Sequence, residues 1–207
     1  MGDFTLPPCN TLVTGMTGSG KTTFSIAYLL NVDAICRFAF DDLGRFATRL
    51  KMRPARTARE CELALATGWV VFNPHAMFPG HTDQAFKWFC KWVYDASRRA
   101  PGKKVLAADE IWQWMSPHQI PYELALAAVT GREEHIELLC CTQLPHRLNA
   151  TLVGQCTELI CFRLDERLAL DCVEDLGMVR TDVASLPLGR FIARNRLSGG
   201  RLVGSLF

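Results

Sequence analysis

The sequence predicts an α/β protein with a mainly parallel sheet, helices on both faces and a C-terminal β-hairpin. Three observations carry this. A glycine-rich loop, Gly15-Met16-Thr17-Gly18-Ser19-Gly20-Lys21-Thr22, separates a short β-branched apolar run from a helically spaced one. Further apolar runs then alternate with helical patterns, as parallel strands joined by crossover helices do. Near the end, two strand-like runs flank Ser198-Gly199-Gly200, the spacing of a hairpin.

Taken in order, Thr11–Thr14 reads as the first strand and Phe24–Leu30 as part of the helix after the glycine-rich loop. Ala34–Phe40 is a second strand, closed by Asp41-Asp42. Residues 43–67 are mostly helical, interrupted by Pro54. They carry Arg45, Arg49, Lys51, Arg53, Arg56 and Arg59, either a solvated face or contacts to DNA phosphates. Trp69–Phe72 is a strand closed by Asn73-Pro74, and Thr82–Ser97 a helix with Phe86, Phe89, Cys90 and Val93 at core spacing. Trp88 and Trp92, four apart, form a second stripe that core packing accounts for. Strands follow at 104–110, 136–143 and 157–163, and the hairpin strands fall at 190–196 and 201–205, within a unit of about 189–206. Arg98, Arg99, Lys103 and Lys104 form a second basic cluster.

The 207 residues are 49% apolar and 21% charged with a net charge of +2, an ordinary globular balance. No repeat or linker divides them, so one domain over 1–207 is expected. No apolar run approaches the ~18 residues of a membrane span, and the opening Met-Gly-Asp-Phe-Thr lacks the pattern of a secretory leader. The nine cysteines contain no C-x-x-C and read as reduced, mostly buried thiols. Asn73, His75 and His81 lie close in sequence, but no cysteine or acid pattern makes them a metal site.

The loop Gly15–Thr22 fits G-x-x-x-x-G-K-[ST], the phosphate-binding P-loop. Glycines at 15, 18 and 20 let the backbone wrap the phosphates with its N–H groups pointing inward. Residues 15–23, through Thr23, form the nucleotide-binding stretch, at a helix N-terminus that favours anions. Lys21 is placed to reach the β- and γ-phosphates of ATP, and the Thr22 hydroxyl to hold Mg²⁺. Val105–Glu110 is an apolar run delivering two acids, the Walker B pattern. Asp109 is the expected partner of Mg²⁺, and Glu110 the base that polarises the attacking water. Gln143, ending the next strand, is a γ-phosphate sensor if that strand lies beside the first; otherwise it is a strand cap. Arg132, in Thr130-Gly-Arg-Glu-Glu-His-Ile136, is the first candidate for an arginine donated to a neighbouring subunit's site, with Arg163 and Arg167 as alternatives.

The ensemble of Gly15–Thr22, Asp109-Glu110, Gly131-Arg132 with His135, and Thr142-Gln143 resembles the FtsK–HerA superfamily of DNA-pumping ATPases. Within it, the small size resembles the genome-packaging ATPases of membrane-containing, double jelly-roll viruses and phages. The resemblance spans about residues 10–196. It implies a RecA-like (ASCE) P-loop NTPase core with central strands in the order 5-1-4-3-2. It also implies a homo-oligomeric ring, hexameric in that superfamily, that threads double-stranded DNA. Capsid-vertex or viral membrane proteins would be its partners, and the virion or host cytoplasm its location. Three other readings stay open: an assembly ATPase of the filamentous-phage, zonula-occludens-toxin type, a small-molecule kinase, and a nucleotide-binding module without turnover.

Overall fold

The computed structural model describes residues 9–131 and 133–207, so the expectation for Arg132 lies outside the described residues. Strand β1 (Asn10–Thr14) leads into α1 (Lys21–Asn31), then β2 (Cys36–Phe40), α2 (Arg45–Leu50), α3 (Ala58–Leu65), β3 (Trp69–Phe72) and α4 (Thr82–Ser97). β4 (Lys104–Ala108), α5 (Tyr122–Thr130), β5 (Ile136–Thr142), α6 (Ala150–Gln155) and β6 (Cys156–Phe162) follow. The chain then forms α7 (Arg167–Asp175), α8 (Arg180–Ala184) and the hairpin β7 (Arg190–Asn195) and β8 (Arg201–Ser205).

All eight strands join one sheet in the order β3-β2-β4-β5-β1-β6-β7-β8. β1 to β6 run parallel, and β7 and β8 pair antiparallel on the β6 side. If β1, β2, β4, β5 and β6 are counted as the central five, they stand in the expected order 5-1-4-3-2, with β3 added outside β2. β5 does lie beside β1, pairing Thr14 with Thr142.

The strands at the centre are buried on both faces, as helical cover on both sides requires. Successive side chains alternate between the two cores. Val13, Leu139 and Cys141 pack with Ile26 and Leu29 of α1 and Phe46 of α2. Leu12, Leu138 and Cys140 pack on the other face with Phe86 and Phe89 of α4, Leu124 of α5 and Val173 of α7. That second core holds an aromatic cluster in which Phe40 meets Phe86 at 5.1 Å and Trp114 at 4.7 Å between centroids. Trp88 and Trp92 stack on each other at its margin, as core spacing implied.

Several boundaries differ from the sequence reading. β4 stops at Ala108 and β5 at Thr142, so Asp109, Glu110 and Gln143 stand in the loops just past the strands. Glu110 takes a left-handed backbone (φ 52°), which ends the ladder there. Between α2 and α3 the chain is non-helical, and Ala55 bridges Phe72 beyond the edge of β3. No described helix is long and apolar enough to cross a membrane.

Candidate functional site

Parallel strands deliver their C-terminal ends, and the loops that follow, to one edge of the sheet. Here that edge gathers the glycine-rich loop after β1, the acids after β4, Gln143 after β5 and the start of α2 after β2. The loop is tied at its base on both sides. Gly15 N donates to Thr142 O at 3.3 Å and Met16 N to Arg163 O at 2.8 Å. The backbone turns through positive φ at Gly18 (77°) and Gly20 (122°) before α1 begins.

Lys21 is 5% exposed and folds back under the loop. Its Nζ donates to Gly15 O at 2.8 Å and Met16 O at 3.2 Å, and lies 3.5 Å from Oε1 of Glu110. Thr22 Oγ1 donates to Asp109 Oδ2 at 2.8 Å. The other oxygen, Asp109 Oδ1, is buried with no hydrogen-bond partner among the described residues. Glu110 Oε2 accepts from Trp112 Nε1 at 3.0 Å and from the amide N–H of Gln143 at 3.2 Å. The Gln143 side chain in turn accepts from Thr17 Oγ1 at 2.8 Å. Four of the five expected side chains, Lys21, Thr22, Glu110 and Gln143, therefore line one cleft of about 340 Å³, large enough for a small-molecule ligand, and Asp109 joins it through its hydrogen bond with Thr22.

The cleft is suited to a magnesium–triphosphate. Mg²⁺ is usually held by one or two protein oxygens together with substrate phosphates and water. Thr22 Oγ1 and Asp109, with its partnerless buried oxygen, supply such a set. No group of three or more His, Cys, Asp or Glu that could hold a metal by itself occurs among the described residues.

The basic runs separate into distinct roles. In 98–104, Arg99 pairs with Glu62 at 2.9 Å, Arg98 with Glu134 at 3.5 Å and Lys103 with buried Glu137 at 2.8 Å. Lys104 is buried, donates to Ser97 O and Glu134 O, and has its pKa pushed down by that burial. In 45–59, Arg53 pairs with Glu60, whereas Lys51, Arg56 and Arg59 are exposed. Arg45 and Arg49 instead line the cleft of Lys21 and Glu110, which the sequence did not reveal. Arg163 is exposed beside the glycine-rich loop it anchors, and Arg167 is exposed near Asp171 at 3.7 Å.

The acid turn after β2 is structural. Asp41 accepts from Phe46 N and Ala47 N at 2.9 and 2.8 Å and so fastens the first turn of α2. Burial pushes its carboxyl above the ordinary range, against the opposing pull of those backbone N–H groups. Asn73 caps the short turn at 74–76, and His75 meets the Asp42 carbonyl at 2.9 Å. No disulfide links the described cysteines. Seven of them, Cys36, Cys61, Cys90, Cys140, Cys141, Cys156 and Cys161, are buried thiols.

No family model matches the chain, and no curated protein matches it. Solved structures do match. The genome packaging NTPase B204 from Sulfolobus turreted icosahedral virus 2, in complex with ATP-gammaS, superposes with a TM-score of 0.77 at 17% identity, over 97% of this chain and 98% of that one. B204, the DNA-packaging ATPase from Sulfolobus turreted icosahedral virus, gives 0.77 at 18% identity over 98% and 100%. VirB4 of Thermoanaerobacter pseudethanolicus gives 0.66 at 9% identity over 96% and 89%. At such identities the likeness is one of fold. That fold is the one expected from the resemblance: a RecA-like P-loop core with an added antiparallel hairpin.

Proposed function

We propose that this chain is an ATPase motor, binding ATP with Mg²⁺ and coupling its hydrolysis to movement of double-stranded DNA, most specifically the packaging of a viral genome. The observation that carries hydrolysis, rather than binding alone, is the placement of Glu110. One carboxylate oxygen is fixed by two N–H donors, and the other lies 3.5 Å from Lys21 Nζ in the cleft. A small-molecule kinase would not need a second acid directly after Asp109. DNA as the load is supported by fold likeness to proteins named for genome packaging.

The chemistry follows from the residues. On triphosphate binding, Lys21 exchanges its contacts with Gly15 O and Met16 O for the β- and γ-phosphate oxygens. Backbone N–H groups of residues 15–23 cradle the phosphates at the start of α1. Thr22 and Asp109 would hold Mg²⁺, which would neutralise charge on the triphosphate. Glu110 accepts a proton from water as the water oxygen bonds to the γ-phosphorus and the bond to the bridging oxygen breaks, leaving ADP and phosphate. Gln143 spans the loop and the base, so it is placed to report the γ-phosphate. An arginine of a neighbouring subunit, Arg132 first and Arg163 or Arg167 next, completes the site in a ring of identical chains, as a hexamer would.

One experiment joins these elements. ATP hydrolysis is measured with and without double-stranded DNA, alongside the molecular mass in solution, for the native chain and E110Q. The expected result is an oligomer whose turnover DNA stimulates, and an E110Q variant that binds ATP without turning it over. A monomer that phosphorylates a metabolite, or full turnover by E110Q, overturns the reading.

A further inference from the structure

We infer that Arg45 and Arg49 of α2 form a second, same-chain set of phosphate ligands, Arg45 reading the γ-phosphate and Arg49 the part of the nucleotide nearer the sugar. This rests on the triphosphate-binding reading of the cleft above.

The two arginines are one helical turn apart and therefore share a face of α2. Arg45 Nη1 lies 3.4 Å from Asp109 Oδ2, the same oxygen that accepts from Thr22. That is the end of the cleft where Lys21, Glu110 and Gln143 meet, and so the γ-phosphate end. Arg49 Nη1 donates to Thr23 Oγ1 at 2.7 Å, one residue further along α1 and away from Glu110. Both guanidiniums thus line the cleft, Arg45 beside Asp109 and Arg49 beside Thr23.

The helix that carries them is firmly placed. Asp41 accepts from two amides of its first turn, Gly44 (φ 69°) allows the tight approach from β2, and Phe46 and Ala47 are buried. The arginines themselves are weakly engaged. Arg45 has one carboxylate at 3.4 Å with about half its side chain exposed (47%), and Arg49 pairs with no carboxylate among the described residues. The remaining basic residues of the run are either paired with Glu60 or turned to solvent. Two exposed, always-charged forks on a firmly placed helix that lines the cleft beside the glycine-rich loop match phosphate oxygens, which guanidinium binds in bidentate fashion. Asp109 and Thr22 are the residues that would hold Mg²⁺, and Arg45, freed from Asp109, turns to the γ-phosphate. Its charge then offsets that gathering on the transferred group, and the bonds made and broken in hydrolysis are unchanged.

The test is the affinity of the full-length protein, with Mg²⁺, for ADP and for a non-hydrolysable ATP analogue. R45A should weaken the analogue by about tenfold or more and change ADP by less than about twofold, since a charge-assisted contact is lost only where a γ-phosphate exists. R49A should weaken both by a similar factor of about ten. R45K, which keeps the charge without the fork, should recover part of the affinity and little of kcat. Mixing R45A with K21A subunits should not restore turnover, because both residues serve the same chain's site. Unchanged nucleotide affinity in R45A and R49A overturns the inference, as does a loss confined to DNA binding, which would place these arginines on DNA. Restored turnover on mixing would place Arg45 in a neighbour's site and equally overturn it. K21A separates the two levels: if it binds the ATP analogue as the native protein does, the nucleotide reading of the cleft itself fails.

Discussion

The indole N–H of Trp112 donates to Oε2 of Glu110 at 3.0 Å, on the oxygen that also receives the Gln143 amide. Oε1 is thereby left as the oxygen directed at Lys21 and the phosphate cleft. The indole is itself held from above, with the Arg147 guanidinium 5.2 Å from its ring centroid. W112F keeps an aromatic ring for Arg147 to cover and removes the N–H. A hydrogen bond to a charged group contributes about 1.5–3 kcal/mol, so kcat should fall by roughly ten- to a hundredfold. The KM for ATP should stay within about twofold, because the phosphate contacts are untouched. Steady-state ATPase assays check this, and equal kcat in W112F and the native chain would show that Trp112 only packs.

Gly18 and Gly20 both turn the phosphate loop through positive φ, but their surroundings differ. A Cβ on Gly18 would meet nothing within 4 Å. One on Gly20 would lie 2.5 Å from Leu206 Cδ1 and 3.0 Å from Phe162 Cε1. G18A should therefore cost only the left-handed strain, about 1–2 kcal/mol. G20A adds a clash against the residue after β8 and should cost about 2–4 kcal/mol in all. Urea denaturation of the two variants measures the difference, and equal losses would contradict the packing described.

How far the sequence could see explains where such contacts were missed. Trp69–Phe72 and Thr82–Ser97 fall where their local patterns put them, because a strand closed by Asn73-Pro74 and a helix with one apolar face are short-range signals. α5 has no such face: Tyr122–Thr130 is apolar nearly all round, with Leu124 and Ala127 buried and Val129 exposed, and only its position against α4 and α6 decides which side turns inward. The loop Gly15–Thr22 and the acids 109 and 110 were legible because each belongs to a contiguous pattern. Arg45 was legible only as part of a basic run. Its approach to Asp109, 64 residues away, exists because β2 pairs with β4, and long-range strand order leaves no local trace in the sequence.

The buried thiols set the alkaline limit of stability. Burial pushes Cys36 up to about 11 and Cys61 and Cys156 up to about 12, and raises Cys90, Cys140, Cys141 and Cys161 as well. Above about pH 9 the unfolded chain releases these protons while the native chain retains them, so stability is full below pH 9 and falls as pH rises toward the native values. Each thiol removes up to about 1.4 kcal/mol per pH unit within its window. Lys104, with its pKa lowered by burial, acts in the opposite sense up to its ordinary value of 10.5, and one lysine does not offset seven thiols. The urea midpoint should fall steeply between pH 9 and 10, and less steeply in C61A. A midpoint that is flat over that range would argue against the thiols remaining protonated in the core.

Gln143 joins the glycine-rich loop to Glu110 through two different groups: its side chain accepts from Thr17, and its backbone N–H donates to Glu110. A side-chain substitution therefore cuts one link and leaves the other. In Q143A the base keeps its anchor, so nucleotide binding should be unchanged and basal ATP turnover should fall only modestly, within about tenfold. The link lost is the one from the loop around the γ-phosphate to β5, the central strand between β1 and β4. Stimulation of turnover by double-stranded DNA should then drop far more than basal turnover does. T17A removes the same hydrogen bond from the other side and should behave alike, with the double variant no worse than either single one. Parallel ATPase assays with and without DNA decide it: equal losses of basal and stimulated rates would make Gln143 part of the chemistry rather than of the coupling.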